Sequence, residues 1–201
     1  MELRIRSAER GDAAAILAIY APSILEAATS FEIEVPSVAE MEKRIEDLKA
    51  RHLWLVLEKD GEILGYTYAS PHRARRAYQW SVEVSVYVHA AARKRGVGRA
   101  LYSSLFEVLK RQGYVNTYAG ITLPNASSVR LHQAMGFVQI GVFPRIGFKF
   151  GKWHDVSWSY LRLTEISEPV PEPLPAKDLL QQEDIVALFR KQAQCLKRGR
   201  S

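Results

Sequence analysis

The amino-acid sequence predicts an α/β (α+β) fold, in which helices cover the faces of a mixed β-sheet. Segments with the two-residue alternation of strands are interleaved with segments of helical spacing, in the order β-α-α-β-β-β-α-β-α-β-β. At the centre of the chain, a predicted strand from Trp80 to Val88 leads through a glycine-containing loop into a predicted helix from Gly98 to Gln112. The chain has 201 residues, of which 47% are hydrophobic, and this suits one domain with a tail.

The strands are predicted from runs of alternating apolar and β-branched residues. The Asp60-Gly61 pair between the second and third strands is typical of a tight hairpin turn. The predicted strands cover Leu3 to Ser7, Leu53 to Glu58, Ile63 to Ala69, Trp80 to Val88, Thr117 to Ile121, Val138 to Phe148 and Trp153 to Leu163.

Four helices within the domain are predicted from apolar spacing and from residues that favour helix ends. Asp12 and Asn125 are candidate N-caps, and Ser37 with Glu40 matches a capping box. Gly113 follows the predicted C-terminus of the third helix. The predicted helices run from 12 to 24, 37 to 50, 98 to 112 and 126 to 135.

The C-terminal part of the chain differs in composition from the rest. Four prolines between Glu168 and Pro175 favour a stiff, extended linker. Further on, Ile185, Phe189 and Leu196 have roughly helical spacing. We expect this helix to dock on the domain or on a neighbouring subunit, with a regulatory or partner-binding role as the alternative. The predicted organisation is a domain over 1–166, a linker over 167–176 and an amphipathic helix with its tail over 177–201.

Composition and charge narrow the classes of function. The net charge is +6, with basic clusters at 73–76, at 93–99 and at the C-terminus. A small anionic ligand explains the first two clusters as well as nucleic acid does, so we expect no nucleic-acid partner. No apolar run is long enough to cross a membrane. The single cysteine, Cys195, cannot form an internal disulfide and no His/Cys cluster has zinc spacing, so we expect a cytoplasmic protein without a metal.

The loop Arg93-Lys94-Arg95-Gly96-Val97-Gly98 places three cations and two glycines at the start of the central helix. Free backbone N–H groups and the helix dipole favour an anion there, and glycines let a phosphate approach the backbone. The spacing matches neither a Rossmann turn nor a P-loop. The loop therefore predicts a phosphate site of another type, with a basic turn that only caps the helix as the alternative.

This loop resembles the Arg/Gln-x-x-Gly-x-Gly/Ala signature of the GNAT acyltransferases, whose loop holds the pyrophosphate of acetyl-CoA. A second stretch, in which Asn125 is followed by a short helix and by Gly136-Phe137, is similar to the other cofactor-side signature of that superfamily. The resemblance covers about Leu3 to Leu163. It implies the GNAT acyl-CoA N-acyltransferase fold, with a mixed, mostly antiparallel sheet flanked by helices, and acetyl-CoA as the co-substrate.

Four runs are similar to the phosphinothricin and methionine sulfoximine N-acetyltransferases, namely 74–88, 123–125, 128–132 and 147–156. That resemblance implies transfer of an acetyl group to the α-amine of a small amino acid analogue, such as phosphinothricin, methionine sulfoximine or its sulfone. Two alternatives remain open. One is acetylation of a protein or peptide amine, and the other is a non-catalytic module that senses acyl-CoA or binds nucleic acid.

Two residues are predicted to carry the proton chemistry. Glu83 matches the catalytic glutamate of the resembling group, and by alternation it shares a face with Ser81, Ser85 and Tyr87, which suits a polar cleft. A solvated edge-strand carboxylate is the alternative. His132 stands where many GNAT enzymes have a tyrosine, so the resemblance implies an acid for the departing thiolate. A packed core histidine is the alternative for His132.

The remaining site residues follow from the resemblance. The backbone of the strand at Val86, Tyr87 and Val88 is expected to pair with the pantetheine amides, and Asn125 to reach the same group. The pyrophosphate is expected on Arg93, Lys94, Arg95, Gly96, Val97, Gly98 and Arg99. The candidate substrate residues are Phe31, Arg73, Arg75, Tyr78, Glu83 and Ser85. A homodimer is expected, because the resembling enzymes are dimeric.

Overall fold

The computed structural model of the chain describes residues 2–49, 51–165 and 168–198. In these residues a seven-stranded sheet carries two helices on one face and three on the other. The strands are β1 (Leu3–Ser7), β2 (Trp54–Lys59), β3 (Glu62–Pro71), β4 (Ser81–Val88), β5 (Asn116–Thr122), β6 (Val138–Lys149) and β7 (Lys152–Arg162). The helices are α1 (Ala13–Leu25), α2 (Val38–Lys49), α3 (Val97–Gln112), α4 (Ala126–Ala134) and α5 (Glu183–Arg198).

The strand order is β1-β2-β3-β4-β5-β7-β6, and β4 with β5 is the only parallel pair within the described sheet. The predicted mixed, mostly antiparallel sheet is therefore confirmed. Pairing between β4 and β5 stops early, at Glu83 opposite Tyr118. Both strands continue beyond this point, to Val88 and to Thr122, so a gap opens in the middle of the sheet.

The two faces of the sheet have separate cores. Helices α1 and α2 bury Ile16, Tyr20 and Ile45 against Trp54, Val56 and Tyr66. Helix α3 and the hydrophobic side of α5 fill the opposite face. Strand β4 contributes Val82 and Val84 to that second core, whereas Tyr87 packs on the α1 side. The alternation of β4 thus directs its odd-numbered residues, including Glu83, toward α1.

Most of the predicted local signals are confirmed by hydrogen bonds and backbone angles. Ser37 N–H donates to Glu40 Oε2 at 2.7 Å and Glu40 N–H to Ser37 Oγ at 3.2 Å, which completes the capping box. The β2–β3 hairpin turns through Asp60 and Gly61, both at positive φ. Ala50, the predicted end of α2, lies outside the described residues.

One predicted cap is wrong. The carboxylate of Asp12 does not accept a hydrogen bond from α1. It accepts the Glu9 N–H at 2.7 Å and both terminal nitrogens of Arg6 at 2.7 and 2.9 Å. Arg6 also contacts Glu58 across β1 and β2. This ion-pair network holds the Asp12 carboxylate away from the helix axis.

The C-terminal helix docks on the domain, where it packs on α3 and β1. Helix α5 runs antiparallel to α3, because Asp184 near its start pairs with Arg111 at 3.2 Å and Leu196 near its end lies over Gly96. Ile185 and Phe189 are buried against β1 and α3. The helix begins at Glu183, six residues later than the start of the predicted tail segment at Lys177. The predicted boundary at 166–167 and the last three residues of the tail lie outside the described residues.

Candidate active site

Glu83 lies at the point where the gap between β4 and β5 begins. Its side chain is 35% exposed, so it is accessible to solvent and to a ligand. The face that it shares with Ser85 and Tyr87 is lined by aromatic rings rather than by the polar groups that the sequence predicted. Tyr87 packs on Tyr66 at 5.1 Å and on Tyr20 at 5.0 Å between ring centroids. Burial raises the pKa of the Tyr87 phenol well above its ordinary value, so this phenol stays neutral.

A histidine that the sequence analysis did not single out contacts Glu83. His72 follows the last residue of β3, and its Nδ1 lies 3.0 Å from Glu83 Oε1. The ring stacks on Tyr118 with 4.4 Å between centroids. Sequence alternation gives no sign of this contact, because it depends on the antiparallel register that brings Ser70 opposite Glu83.

The gap beyond Glu83 has the geometry for an extended amide-containing ligand. On one edge, β4 pairs with β3 from Val82 through Val88. On the other edge, the residues Val84 to Val88 have no partner in the register with β5. A strand edge of this kind can pair with the amides of a bound chain. The predicted cofactor residues Val86, Tyr87 and Val88 lie on this segment.

The predicted phosphate loop lies at the same end of the sheet as the gap. Gly96 is the N-cap of α3 with φ 81° and ψ −1°, a left-handed conformation that favours glycine. Gly98 is buried, and a Cβ there would lie 3.1 Å from Leu131 of α4. The loop side chains of Arg93, Lys94, Arg95 and Arg99 are exposed. Free N–H groups and cations are thus combined at the start of a sixteen-residue helix.

A cleft of about 1330 Å³ adjoins this loop. One wall is formed by the loop and the first turns of α3, including Arg95, Arg99 and Ser103. The opposite wall is the end of α5, where Gln192, Cys195 and Leu196 line the cleft. Cys195 is exposed and unpaired. The C-terminal helix therefore does more than complete the core, because it also borders the predicted phosphate site.

Asn125 has the capping role that the sequence predicted. Its Oδ1 accepts the Ser128 N–H at 3.2 Å and the Ser127 hydroxyl at 3.1 Å at the start of α4. The role of Asn125 toward pantetheine stays a prediction.

His132 lies in the core, on the face of the sheet opposite to Glu83. Only 4% of its surface is exposed. Its Nδ1 donates to the Ser128 carbonyl oxygen at 2.8 Å, which leaves Nε2 to accept the Tyr102 hydroxyl at 3.0 Å. Burial lowers the pKa of this imidazole and keeps it neutral. The acid role of His132 stays a prediction, and this geometry counts against it.

The predicted substrate residues fall into two groups. Tyr78 lies beside the His72 ring, 6.0 Å away between centroids, and is therefore close to Glu83. Arg73 and Arg75 are exposed on the same loop. Phe31 lies on the loop after α1 and covers Gly147 of β6, where a Cβ would come within 2.4 Å of the phenyl ring. Only glycine permits this contact.

Lys149 explains how the loop that carries Phe31 is held in place. The lysine is 4% exposed, and its ammonium donates to the carbonyl oxygens of Ser30 at 2.7 Å and Ala27 at 3.2 Å. His154 in turn contacts the Lys149 carbonyl oxygen through Nε2 at 3.0 Å. Two carbonyl groups more than a hundred residues away in sequence thus bind the buried ammonium group of Lys149. The sequence pattern gave no sign of these hydrogen bonds.

Two possible features are not found in the described part of the chain. None of its helices has the length and apolar character to cross a membrane. Within the same residues, no group of three or more histidine, cysteine, aspartate or glutamate side chains has an arrangement suited to a metal ion.

The gap between β4 and β5, the cationic helix start and the accessible Glu83 form a combination that suits an acyl-CoA-dependent transferase. Residues 5–158 match the sequence profile of the acetyltransferase (GNAT) domain, and the chain belongs to that family. It is an acetyl-CoA-dependent N-acetyltransferase.

Known proteins with high similarity carry consistent names. Phosphinothricin N-acetyltransferase of Streptomyces viridochromogenes is 37% identical over 89% of this chain and 96% of its own length. The L-methionine sulfoximine/L-methionine sulfone acetyltransferase of Salmonella typhimurium is 35% identical over 83% of this chain and 98% of its own. The crystal structure of a phosphinothricin acetyltransferase from Sinorhizobium meliloti in complex with acetyl-CoA superposes with a TM-score of 0.78 at 34% identity, covering 85% and 96% of the two chains.

Proposed function

We propose that this enzyme acetylates the α-amine of a small polar amino acid analogue of the phosphinothricin or methionine sulfoximine type. The observation that carries the proposal is the place of Glu83, an accessible carboxylate at the start of the gap between β4 and β5. The exposed guanidinium groups of Arg73 and Arg75 suit the carboxylate and the polar end of such a substrate. The names of the two relatives above support the same substrate class.

In this proposal Glu83 is the general base. An α-amine is mostly an ammonium ion at neutral pH, and its lone pair becomes available only after a proton leaves. Glu83 takes that proton directly or through one water. The nitrogen then forms a bond to the acetyl carbon while the carbon–sulfur bond breaks, and the new amide nitrogen loses its second proton to solvent. Acetyl-CoA supplies the activated acetyl group. With both nitrogens of His132 engaged, solvent is the favoured source of the proton for the departing sulfur.

The residues proposed to hold acetyl-CoA belong to β4, to the loop before α3 with its first turn, and to the start of α4. The pyrophosphate binds the backbone N–H groups and cations of 93–99, and pantetheine pairs with the free edge of β4 at 86–88. Asn125, the N-cap of α4, is proposed to reach the same pantetheine group. An N–H group of β4 that faces the gap would also polarise the thioester carbonyl.

The test is the release of thiol from acetyl-CoA in the presence of an amino acid panel. Phosphinothricin, methionine sulfoximine and methionine sulfone are expected to give turnover, and a peptide with a free N-terminus to give much less. Turnover with the peptide alone would favour the protein-acetylating alternative. No thiol release with any amine, together with a mobility shift of DNA or RNA, would favour a nucleic-acid-binding module instead.

We also propose a homodimer that forms through β6. This strand lies at the edge of the sheet and presents a row of apolar side chains, each at least 40% exposed: Val138, Ile140, Val142, Phe143, Ile146 and Phe148. An exposed apolar edge strand is unusual in a monomer, because it favours association with another strand. The partner subunit would also cover the strand that supports Phe31.

Light scattering tests the dimer. The wild-type protein is expected to have twice the mass of one chain, and Ile140→Lys is expected to give monomers because it introduces a charge into the apolar row. Val38→Lys is the matched control, since Val38 is 46% exposed at the start of α2, a helix that packs on α1 and β2. A wild-type monomer, or a dimer unaffected by Ile140→Lys, would contradict the proposed interface.

We further propose a cytoplasmic location and no nucleic-acid partner. The unpaired, exposed Cys195 is consistent with a reducing compartment. In the proposed site, the basic cluster at 93–99 is occupied by acetyl-CoA phosphates.

A further inference from the structure

Of the five histidines, which all lie in the described residues, His72 is the only one that contacts a carboxylate. His52 contacts the Tyr114 hydroxyl, and His132 and His154 contact backbone carbonyl groups in the core. His89 accepts a hydrogen bond from the Ala91 N–H at the end of β4. The contact between His72 and Glu83 also lies at the start of the gap between β4 and β5, whereas the other four histidines lie in a core or a turn.

The His72 ring joins the two strands at the point where they separate. Glu83 and Tyr118 are the last residues paired between β4 and β5. The His72 imidazole binds the first through Nδ1 at 3.0 Å and stacks on the second with an interplanar angle of 19°. Tyr78 and Trp158 contact the ring edge-on, with centroids 6.0 and 6.2 Å away. Three aromatic rings therefore fix the plane of the imidazole and the direction of its Nδ1.

The direction of the hydrogen bond follows from the chemistry of the two groups. An ionised carboxylate only accepts hydrogen bonds. Nδ1 therefore carries a proton and donates the hydrogen bond to Oε1. The His72 side chain is 15% exposed and that of Glu83 is 35% exposed, so the bond is partly shielded from water. A hydrogen bond to the charged form of a carboxylate stabilises that form. It also limits rotation of the carboxylate, which leaves its other oxygen free to face the gap.

We propose that His72 is a positioning residue that orients the Glu83 carboxylate toward the gap, where it can accept the proton of the substrate amine. This inference rests on the role proposed for Glu83 above. His72 is the residue that determines whether the carboxylate is directed toward the gap. It does not touch the reacting atoms itself.

The test compares two substitutions that separate the donor from the ring. His72→Phe keeps a ring that stacks on Tyr118 but has no donor. His72→Asn loses the stack but places an amide N–H near the position of Nδ1. His52→Phe is the matched control, because His52 is also a stacked, partly buried imidazole, with Tyr114 as its partner and no contact with the site.

His72→Phe is expected to lower kcat about ten-fold, the lower end of what a hydrogen bond to a charged group contributes. The KM for acetyl-CoA is expected to be unchanged, so that the loss falls on kcat alone. The kcat of His72→Asn is expected to stay within about three-fold of the wild-type value, because the amide N–H replaces the lost donor. A His72→Phe enzyme equal to the wild type, or a His72→Asn enzyme as slow as His72→Phe, would overturn the proposal.

A measurement that needs no turnover completes the test. Nitrogen NMR of the histidine side chains is expected to show a proton on Nδ1 of His72 at pH 7.5, and Glu83→Gln to change that signal. A bare Nδ1 in the wild-type protein would also overturn the proposal. If no amine is acetylated, the proposed function fails, yet the Nδ1 signal still decides whether His72 binds the carboxylate. Calorimetry with acetyl-CoA on each variant confirms that the site is folded.

Discussion

His72 and His132 lie on opposite faces of the same sheet, and their surroundings differ in every respect that matters for proton chemistry. His72 is at the edge of the gap, with one nitrogen on the Glu83 carboxylate. His132 is in the core, with both nitrogens engaged by Ser128 and Tyr102. Sequence similarity assigns a part in the proton chemistry to His132. In the structure it is His72 that contacts the carboxylate of Glu83, the proposed base. The comparison teaches that a motif position identifies a residue, but only its surroundings show what it can do.

The largest effect is expected at Glu83. Glu83→Gln keeps the size of the side chain but removes its capacity to take a proton. Turnover is therefore expected to fall by about a hundred- to ten-thousand-fold. The affinity for acetyl-CoA is expected to survive, and calorimetry on the same preparation checks this. A variant that lost turnover and acetyl-CoA binding together would show that Glu83 supports the site rather than the chemistry.

The next effect concerns the start of α3. Gly96→Val is expected to weaken acetyl-CoA binding about ten-fold or more, because a side chain blocks the approach of phosphate to the backbone and a charged hydrogen bond contributes about 1.5–3 kcal/mol. A Cβ at this position would also lie 2.9 Å from Leu196 of α5.

Gly113→Val is the matched control for the Gly96 prediction. Gly113 ends the same helix with φ 93°, and a Cβ there would be no closer than 3.8 Å to a neighbouring group. It carries similar backbone strain without contact with the loop. Calorimetry with acetyl-CoA is expected to show no loss for Gly113→Val. Equal losses in both variants would remove the phosphate loop from the account.

A smaller effect on activity is expected at His132. His132→Leu leaves the buried Tyr102 hydroxyl without its partner, so the free energy of unfolding is expected to fall by about 1–3 kcal/mol. Turnover of the folded variant is expected to stay within about three-fold of the wild type. Urea unfolding measures the stability, and thiol-release assays measure the turnover.

Tyr102→Phe, which removes only the hydroxyl group, is the control for His132→Leu. A hundred-fold loss of turnover in His132→Leu, and not in Tyr102→Phe, would restore the acid role to His132.

The smallest effect is on the pH dependence of stability. Burial lowers the pKa of His132 and of His52 in the folded protein below the value in the unfolded chain. The unfolded chain therefore binds more protons below about pH 6.5, the ordinary histidine value. Stability is expected to be full above that pH and to decline as pH falls toward the folded values. Urea midpoints at pH 7.5 and pH 5.5 check this, and His132→Leu is expected to show a smaller decline. A midpoint that rises on acidification would have the wrong sign.

The parts of the fold that the sequence predicted are those set by local periodicity. Strand alternation, the Asp60-Gly61 turn and the Ser37–Glu40 box each need only a few neighbouring residues, and each is confirmed. The Asp12 cap failed because Arg6 and Glu58 bring a competing charge network from two strands. A cap that is locally favourable loses when a tertiary ion pair takes the same carboxylate.

Sequence reasoning can propose the residues of the candidate site that follow one another along the chain, but not those that depend on contacts distant in sequence. Glu83 and the loop at 93–99 form one continuous stretch that a motif can identify. The contact of His72 with Glu83 depends on the register of β3 with β4, and Lys149 reaches Ser30 across 119 residues. The wall that α5 adds beside Gly96 depends on the docking of a helix that lies beyond the family match at 5–158.

The most direct test of the account is the ratio of wild-type to Glu83→Gln turnover across pH, with acetyl-CoA saturating. If Glu83 removes the proton from the amine, the ratio is largest near pH 7 and shrinks as pH rises toward 9.5, because more of the substrate amine is then already neutral. A ratio near one throughout the range would contradict the account, and a large ratio that does not change with pH would show that the carboxylate acts other than as a base.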